Sequence, residues 1–190
     1  MSGGRLATTD VKNANLVSYL KVGLMLVVGV ALVLAGCKKD GTDQPVAPKN
    51  VADYFPIKVG ERTVRMQLAV LPAEQQQGLM FRRDLGPDDG MLFPYRTPQA
   101  MSFWMRNTPT PLDIGFFDAD GVLREIYQMY PHDETSVRSR SDRLKYALEM
   151  NQGWYRDSGV RPGAKLDVAA FAAALKARGF DPVTFGLTAK

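Results

Sequence analysis

The apolar residues of this chain come in short blocks that proline and glycine interrupt, and this spacing limits the possible folds more than any other feature. The 190 residues include 17 glycines and 12 prolines. Residues 62–71 alternate apolar and polar side chains, as a half-buried strand does. Residues 112–130, with the turn "ADG" near their middle, are typical of a β-hairpin. The pattern predicts a mainly β protein of the α+β class.

Three further blocks are predicted to be strands. "MSFWM" at 101–105 is apolar at nearly every position, which favours a strand buried on both faces. The following "RNTPTP" ends it, because proline lacks a ladder donor. Residues 91–95 are predicted as a short strand that stops at Pro94, and residues 146–150 as a strand that contains Glu149.

Helical signals occur at two places. Pro72 begins a short segment rich in Ala, Glu and Gln, which Gly78 ends. Near the carboxyl end, residues 167–180 are rich in alanine, with Asp167 as N-cap and Gly179 as the stop. We therefore expect one or two short helices and a C-terminal helix.

An uncharged apolar run at residues 22–34 follows the basic residues Arg5, Lys12 and Lys21. Its thirteen residues are too few for a membrane span, which needs about 20, but suit a secretory signal peptide. The ending "LAGC" resembles a bacterial lipobox, which implies a signal peptide over residues 1–36, cleavage before Cys37 and lipidation of Cys37. The alternatives are an uncleaved inner-membrane anchor, or an ordinary signal peptide followed by an incidental cysteine.

The remaining chain divides by composition. Residues 37–53 are polar and contain Gly and Pro, which predicts a flexible tether between the lipidated cysteine and a folded domain. Residues 54–166 are predicted to form a single β-rich domain, and residues 167–190 a C-terminal helical extension. Lys38 occupies the position where an aspartate would indicate retention in the inner membrane. The sequence therefore favours the outer membrane, with the domain facing the periplasm.

Charge and residue counts exclude several classes of function. Without the first 36 residues the chain has 21 basic and 19 acidic side chains, a net charge of +2, which does not favour a nucleic-acid partner. His132 is the only histidine and Cys37 the only cysteine. The sequence therefore predicts no metal site, cofactor or catalytic residue. The methionines, whose thioethers could bind Cu(I), are interpreted as core packing.

Two carboxylates stand inside apolar strands and are the strongest candidates for chemistry. Asp113 lies in "PLDIGF" and Glu149 in "YALEMN". A buried carboxylate must be hydrogen-bonded, paired or shifted in pKa. The structural interpretation bonds Asp113 to backbone N–H groups of residues 107–110 and pairs Glu149 with Arg82 or Arg106. The functional interpretation places both acids in one pocket, where they bind a polyol or act as acid and base.

Four separated blocks resemble, in order, the family called domain of unknown function 192 (DUF192). They are "GLMFRRDL", "GMLFPY", "FWMRNTPTPLDIGFFDADG" and "ALEMNQGW…SGVRPGAKL", within residues 64–166. The resemblance implies a compact, barrel-like, antiparallel sheet with short helices. It implies no reaction, because the family's activity is not established. Family members often carry arginine where this chain has Gln75, and the final helix lies outside the pattern.

The sequence thus favours a non-enzymatic envelope domain that binds a small polar ligand or an envelope partner. The predicted pocket residues are Arg82, Trp104, Asn107, Thr108, Asp113 and Glu149. Trp104 is also one of these residues, although its place inside the apolar block "SFWM" favours a core position over a stacking surface. One alternative function is a hydrolase or lyase that acts on envelope carbohydrate with Asp113 and Glu149. Another is a structural lipoprotein without a ligand pocket, whose terminal helix docks a partner.

Overall fold

The computed structural model describes residues 48–187, which form eight strands and three α-helices. The strands are β1 (Phe55–Val59), β2 (Arg62–Leu68), β3 (Asp89–Gln99), β4 (Ser102–Phe103), β5 (Leu112–Asp118), β6 (Leu123–Met129), β7 (Val137–Arg138) and β8 (Leu144–Asn151). The helices are α1 (Pro72–Gln77), α2 (Trp154–Asp157) and α3 (Val168–Ala177), and a 3₁₀-helix covers Pro182–Phe185. The predicted signal peptide, Cys37 and most of the predicted tether lie outside the described residues.

Six strands form one sheet in the order β1-β2-β3-β8-β5-β6, and β4 pairs with β7 in a separate two-stranded sheet. The mainly β, α+β class is confirmed. The barrel-like, antiparallel expectation is wrong, because the sheet is open and β2 runs parallel to β3. The parallel pair arises because α1 forms the crossover between these two strands.

A single short segment approaches both edges of the sheet without closing it. Leu166 forms an isolated bridge with Val59 at the end of β1, and Lys165 forms another with Val122 just before β6. The next residue, Asp167, already caps α3 by accepting bonds from the N–H groups of two following alanines. The segment is therefore too short to form the ladder that a closed barrel requires.

Two of the strand predictions need correction. Strand β3 does not stop at Pro94 but continues to Gln99, with a register shift against β8 after Pro94 that accommodates the missing donor. The block "MSFWM" contributes only Ser102–Phe103 to a strand, and that strand pairs with Val137–Arg138 instead of joining the main sheet. Met101 and Met105 are buried, whereas Trp104 is exposed.

Each face of the sheet carries its own hydrophobic core. On the face that we call the helix face, Leu68, Leu148 and Phe117 pack with Phe171 and Leu175 of α3. On the opposite face, which we call the loop face, Phe93, Ile114 and Phe116 pack with Leu79, Met101 and Met105 from the connecting segments. Leu112, Ile114 and Phe116 share this face, as the alternation predicts.

The C-terminal helix is an integral part of the folded unit. The Arg178 guanidinium, which is buried, donates to the Leu68 carbonyl and to one Glu74 oxygen at 2.5 Å. The other Glu74 oxygen accepts the N–H groups of Val70 and Leu71, which precede α1. Arg178 therefore couples the end of α3 to the start of α1. None of the helices within residues 48–187 is long and apolar enough to cross a bilayer.

Replacing Arg178 by alanine is expected to lower the free energy of unfolding by about 2–4 kcal/mol, since it removes a buried ion pair and a bond to Leu68. Urea denaturation monitored by circular dichroism measures the change. Lys176→Ala, an exposed substitution on the same helix, is the matched control and should change stability by less than about 0.5 kcal/mol. Equal effects of the two substitutions would contradict a structural role for the Arg178–Glu74 pair.

Candidate functional site

The register of the central strands separates the two candidate carboxylates. Strand β5 pairs with β8 so that Asp113 lies opposite Met150, and Ile114 lies opposite Glu149. Met150 belongs to the helix-face core and Ile114 to the loop-face core. Because paired residues share a face, Asp113 points to the helix face and Glu149 to the loop face. The two acids therefore do not share a pocket.

Asp113 serves as a structural tie. One carboxylate oxygen accepts the backbone N–H of Gly153 at 2.8 Å, and Gly153 adopts a left-handed conformation (φ 89°) just before α2. The other oxygen is buried without a hydrogen-bond partner in the described part of the chain. Burial raises the pKa of Asp113, and the Gly153 bond opposes that shift. The predicted tie to backbone N–H groups is present, but it comes from Gly153 and not from residues 107–110.

Arg82 is likewise occupied by structural contacts. Its guanidinium donates to the Gln67 side-chain oxygen at 3.0 Å and the Tyr54 hydroxyl at 3.1 Å, and it pairs with Asp84 at 2.5 Å. The hydrogen bond that Arg82 donates to Asp84 outweighs burial and raises the pKa of Arg82. Arg82 therefore neither pairs with Glu149 nor contributes its charge to a ligand pocket.

The remaining predicted residues come together on the loop face, around a cleft and a small cavity behind it. The cleft, which we call the Trp104 cleft, has a volume of about 450 Å³ and is lined by Ala73, Gln76, Gln77, Met80, Phe81, Trp104, Arg106 and Asn107. The cavity, which we call the Glu149 cavity, measures about 30 Å³ and is lined by residues 75–80, Phe93, Phe103, Trp104, Thr108 and Glu149. Gln76, Gln77, Met80 and Trp104 line both spaces, so the two are adjacent.

One wall of the cleft depends on the end of α1. Gly78 terminates the helix with φ 48°, a conformation that side chains disfavour, and its N–H donates to the Glu74 carbonyl at 2.8 Å. A Cβ atom at this position would lie 3.4 Å from the Phe93 ring. Glycine thus lets the chain reverse directly over Phe93, so that Leu79 is buried in the loop-face core.

The rim holds two non-glycine residues in left-handed conformations. Phe81 has φ 64° and Asn107 has φ 56°, and the Phe81 N–H donates to the Asn107 carbonyl at 2.8 Å. Such conformations cost free energy and concentrate at functional sites. Here they leave the Phe81 side chain 72% exposed, beside Trp104 at 41%. Its position after Gly78 had favoured an inward direction for Phe81; this expectation is wrong, and sequence reasoning did not place Phe81 in the cleft.

Thr108 is buried where the loop 104–110 approaches the His132 turn. Its N–H donates to the Met105 carbonyl at 3.0 Å, its hydroxyl to the Arg106 carbonyl at 3.2 Å, and its own carbonyl accepts the His132 N–H at 3.2 Å. These bonds fix the loop that carries Trp104, Arg106 and Asn107. Thr108 therefore supports the cleft and also lines the cavity.

Glu149 is the distinctive group of the site. It is 5% exposed and lines the cavity, yet within residues 48–187 no basic side chain forms an ion pair with its carboxyl group. Burial raises the pKa of Glu149 to about 8, and no hydrogen bond or positive charge offsets that shift. At neutral pH the carboxyl group is therefore mainly protonated and can both donate and accept a hydrogen bond.

Arg106 and the glutamines of α1 belong to the site as well, although sequence reasoning did not place them there. The Arg106 guanidinium lies 5.5 Å from the centroid of the Trp104 ring. Gln75 donates to the Pro94 carbonyl at 2.9 Å and so holds α1 against β3. The sequence signal for this part of the site was the run of three glutamines on one short helix. Such a run places polar side chains next to an apolar core, where they can line a cleft.

Comparison with known proteins identifies the family. The model of DUF192, described as "Uncharacterized ACR", matches residues 55–168. The chain belongs to the DUF192 family. The resemblance noted in the sequence is confirmed, and the DUF192 region contains every residue of the cleft and the cavity. No curated protein matches the chain.

Two crystal structures are similar to the DUF192 region. One is a proposed transcription regulator from Sinorhizobium meliloti 1021, which is 34% identical, with a TM-score of 0.59 over 63% of this chain and 96% of that chain. The other is a protein of unknown function from Novosphingobium aromaticivorans DSM 12444, which is 35% identical, with a TM-score of 0.59 over 65% of this chain and 94% of that chain.

Replacing Glu149 by glutamine should make the protein more stable in alkaline solution. The pKa of Glu149 is 4.5 in the unfolded chain and about 8 in the folded protein, because burial favours the protonated form. Its contribution to stability is therefore fully present below pH 4.5 and is lost as the pH rises to about 8. We expect Glu149→Gln to match the wild type near pH 5 and to exceed it near pH 8.5 by on the order of 3–5 kcal/mol.

Urea denaturation at the two pH values measures this difference. Glu134→Gln removes an exposed carboxylate and is the matched control, with an expected change of less than about 0.5 kcal/mol at both pH values. A difference between Glu149→Gln and the wild type that does not vary with pH would show that Glu149 is not protonated in the native state.

Proposed function

We propose that this protein is a lipid-anchored domain of the bacterial cell envelope that binds a small polar ligand in the Trp104 cleft. The anchor is supported by the basic and apolar leader and by the lipobox-like ending at Cys37. Lys38 favours the outer membrane, with the domain in the periplasm. In this arrangement the tether holds the domain near the membrane.

The observation that carries the binding proposal is the position of Glu149. A buried carboxyl group without a protein partner costs free energy, so such groups are rare unless they have a role. Glu149 lines a cavity next to a cleft in which two large aromatic side chains are exposed. Apolar walls with one or two polar groups are typical of small-molecule sites.

A binding role agrees with the geometry better than either alternative. A glycosidase needs two carboxyl groups about 5–10 Å apart across one cleft, whereas Asp113 and Glu149 point to opposite faces of the sheet. The partner-docking alternative requires a free apolar face on α3, but Phe171, Ala174 and Leu175 are buried against the protein's own sheet. The S. meliloti protein is named as a transcription regulator, and we do not extend that role to this chain. The predicted mature chain has a net charge of +2, which does not favour a nucleic-acid partner.

The membrane anchor can be tested by labelling. When bacteria expressing the protein are grown with an alkyne-tagged palmitate, we expect the wild type to incorporate the label and to fractionate with the outer membrane. Cys37→Ser, which removes the single thiol, should lose the label. Incorporation that persists in Cys37→Ser, or an unlabelled wild type, would show that the chain is not lipidated at this position.

The cleft can be tested by thermal denaturation in the presence of a library of amino acids, sugars, polyols, nucleosides and short peptides. We expect at least one compound to raise the Tm of the wild type, with the effect lost in Trp104→Ala, which removes the exposed aromatic wall of the cleft. Base or aromatic stacking contacts of this kind contribute about 0.5–1.5 kcal/mol beyond buried area.

Two variants control for loss of stability. Tyr130→Ala removes an exposed aromatic ring outside the cleft, and Asp113→Asn changes the carboxylate on the opposite face. Both should respond to the same compounds as the wild type. If Tm shifts survive Trp104→Ala, or if no compound class produces one, the Trp104 cleft is not a ligand site.

A further inference from the structure

We infer that the ligand is a compact zwitterion of the amino-acid type, whose primary ammonium group enters the Glu149 cavity while its carboxylate meets Arg106 at the rim of the cleft. This inference rests on the proposed function and names the chemical class that the same site would select. It follows from the size of the cavity, the groups that line it and the presence of one acid and one base in two adjoining spaces.

The cavity admits a small head group and little else. Its volume of about 30 Å³ corresponds to roughly one water molecule, and an ammonium group is of similar size. Glu149 is the single ionisable residue in the lining, and the remaining polar side chains there are glutamines and Thr108. No basic side chain lines the cavity, so an anionic head group would lack a partner.

The surroundings of Glu149 favour a cation. Three aromatic residues, Phe93, Phe103 and Trp104, line the same cavity, and the Phe93 and Phe103 rings contact each other at a centroid distance of 5.2 Å. Aromatic rings attract cations, and desolvation strengthens that attraction. A carboxylate within such a lining is costly when alone, whereas an incoming ammonium supplies the missing opposite charge.

Arg106 provides the second point of recognition. It is exposed, lines the cleft together with Asn107 and the α1 glutamines, and lies over the Trp104 ring. The ion pairs among residues 48–187 do not include it. A guanidinium suits a carboxylate because its donors form a planar fork. Met80 and Phe81, which line the same cleft, offer an apolar wall to a ligand side chain.

Binding an ammonium ligand must release a proton at neutral pH. The neutral Glu149 carboxyl group gives its proton to the solvent, and the resulting carboxylate accepts a hydrogen bond from the ligand ammonium, so charge and protons balance. The other titratable groups coupled to Glu149 are Tyr95 on β3 and Tyr155 on the helix face. Burial raises the pKa of both tyrosines above 10, so neither supplies this proton.

Isothermal titration of the full chain in non-ionic detergent tests the inference with three matched probes. L-leucine carries both charges, isoamylamine lacks the carboxylate, and leucic acid has a hydroxyl in place of the ammonium. We expect leucine to bind, isoamylamine to bind about tenfold more weakly, and leucic acid not to bind at the same concentrations. Leucyl-leucine distinguishes a peptide amino terminus from a free amino acid as the natural source of the ligand.

Variants assign each charge to its residue. Glu149→Gln should abolish binding of both amines, whereas Arg106→Ala should weaken leucine about tenfold and leave isoamylamine unchanged. Arg83→Ala, which removes an exposed arginine outside the cleft, is the control and should have no effect. Titrations near pH 6.5 in buffers of different ionisation enthalpy should show release of about one proton per leucine, and Asp113→Asn should leave that release intact.

Three outcomes would overturn the inference. They are binding of leucic acid as tight as that of leucine, binding of leucine without proton release, and absence of binding by leucine, isoamylamine and the dipeptide. If a compound without an ammonium group nevertheless binds in a Trp104-dependent manner, the proposed function stands and only the ligand class is wrong. If no compound of any class does so, both fail.

Discussion

The pairing of β5 with β8 is the constraint on which the rest of the structure depends. Because side chains alternate along a strand, the register that places Ile114 opposite Glu149 sends Asp113 to the other face. A shift of β5 by one residue would bring Asp113 to the same face as Glu149 and would remove Ile114 and Phe116 from the loop-face core, which their burial holds together. The hydrophobic pattern of the hairpin therefore keeps Asp113 away from the face of Glu149, independently of any ligand.

The shape of the cleft depends on contacts far from it along the chain. Glu74 bonds the backbone before α1 and also pairs with Arg178, while Gln75 of the same helix bonds the Pro94 carbonyl. The residues that follow, Gln76 and Gln77, line the cleft. The C-terminal helix lies beyond the DUF192 match at residues 55–168, yet through Arg178 it supports the wall of a site that lies wholly inside that match.

The features that could be predicted from the sequence are those that residues close together in the chain determine. The proline and glycine boundaries of α1, the Asp167 cap of α3 and the shared face of Leu112, Ile114 and Phe116 follow from neighbours in the chain. The parallel pairing of β2 and β3, the open sheet and the course of β3 through Pro94 depend on contacts between distant segments. Contacts between distant segments also decide the fate of the six predicted site residues. Four of them meet around the cleft and cavity, whereas Arg82 bonds Gln67 and Asp113 accepts the Gly153 N–H.

The contrast between the two buried acids explains why one is structural and the other is a candidate for function. Asp113 accepts the Gly153 N–H that begins α2, so its burial stabilises a defined turn. For Glu149 burial alone determines the pKa shift, and no donor among residues 48–187 offsets the cost. The fold tolerates this cost because a neutral carboxyl group is far cheaper to bury than a carboxylate. A ligand cation reverses that balance, since the carboxylate then gains a partner inside an aromatic lining. In the proposed site, the unfavourable burial of Glu149 in the free protein is thus also the source of selectivity for a cation.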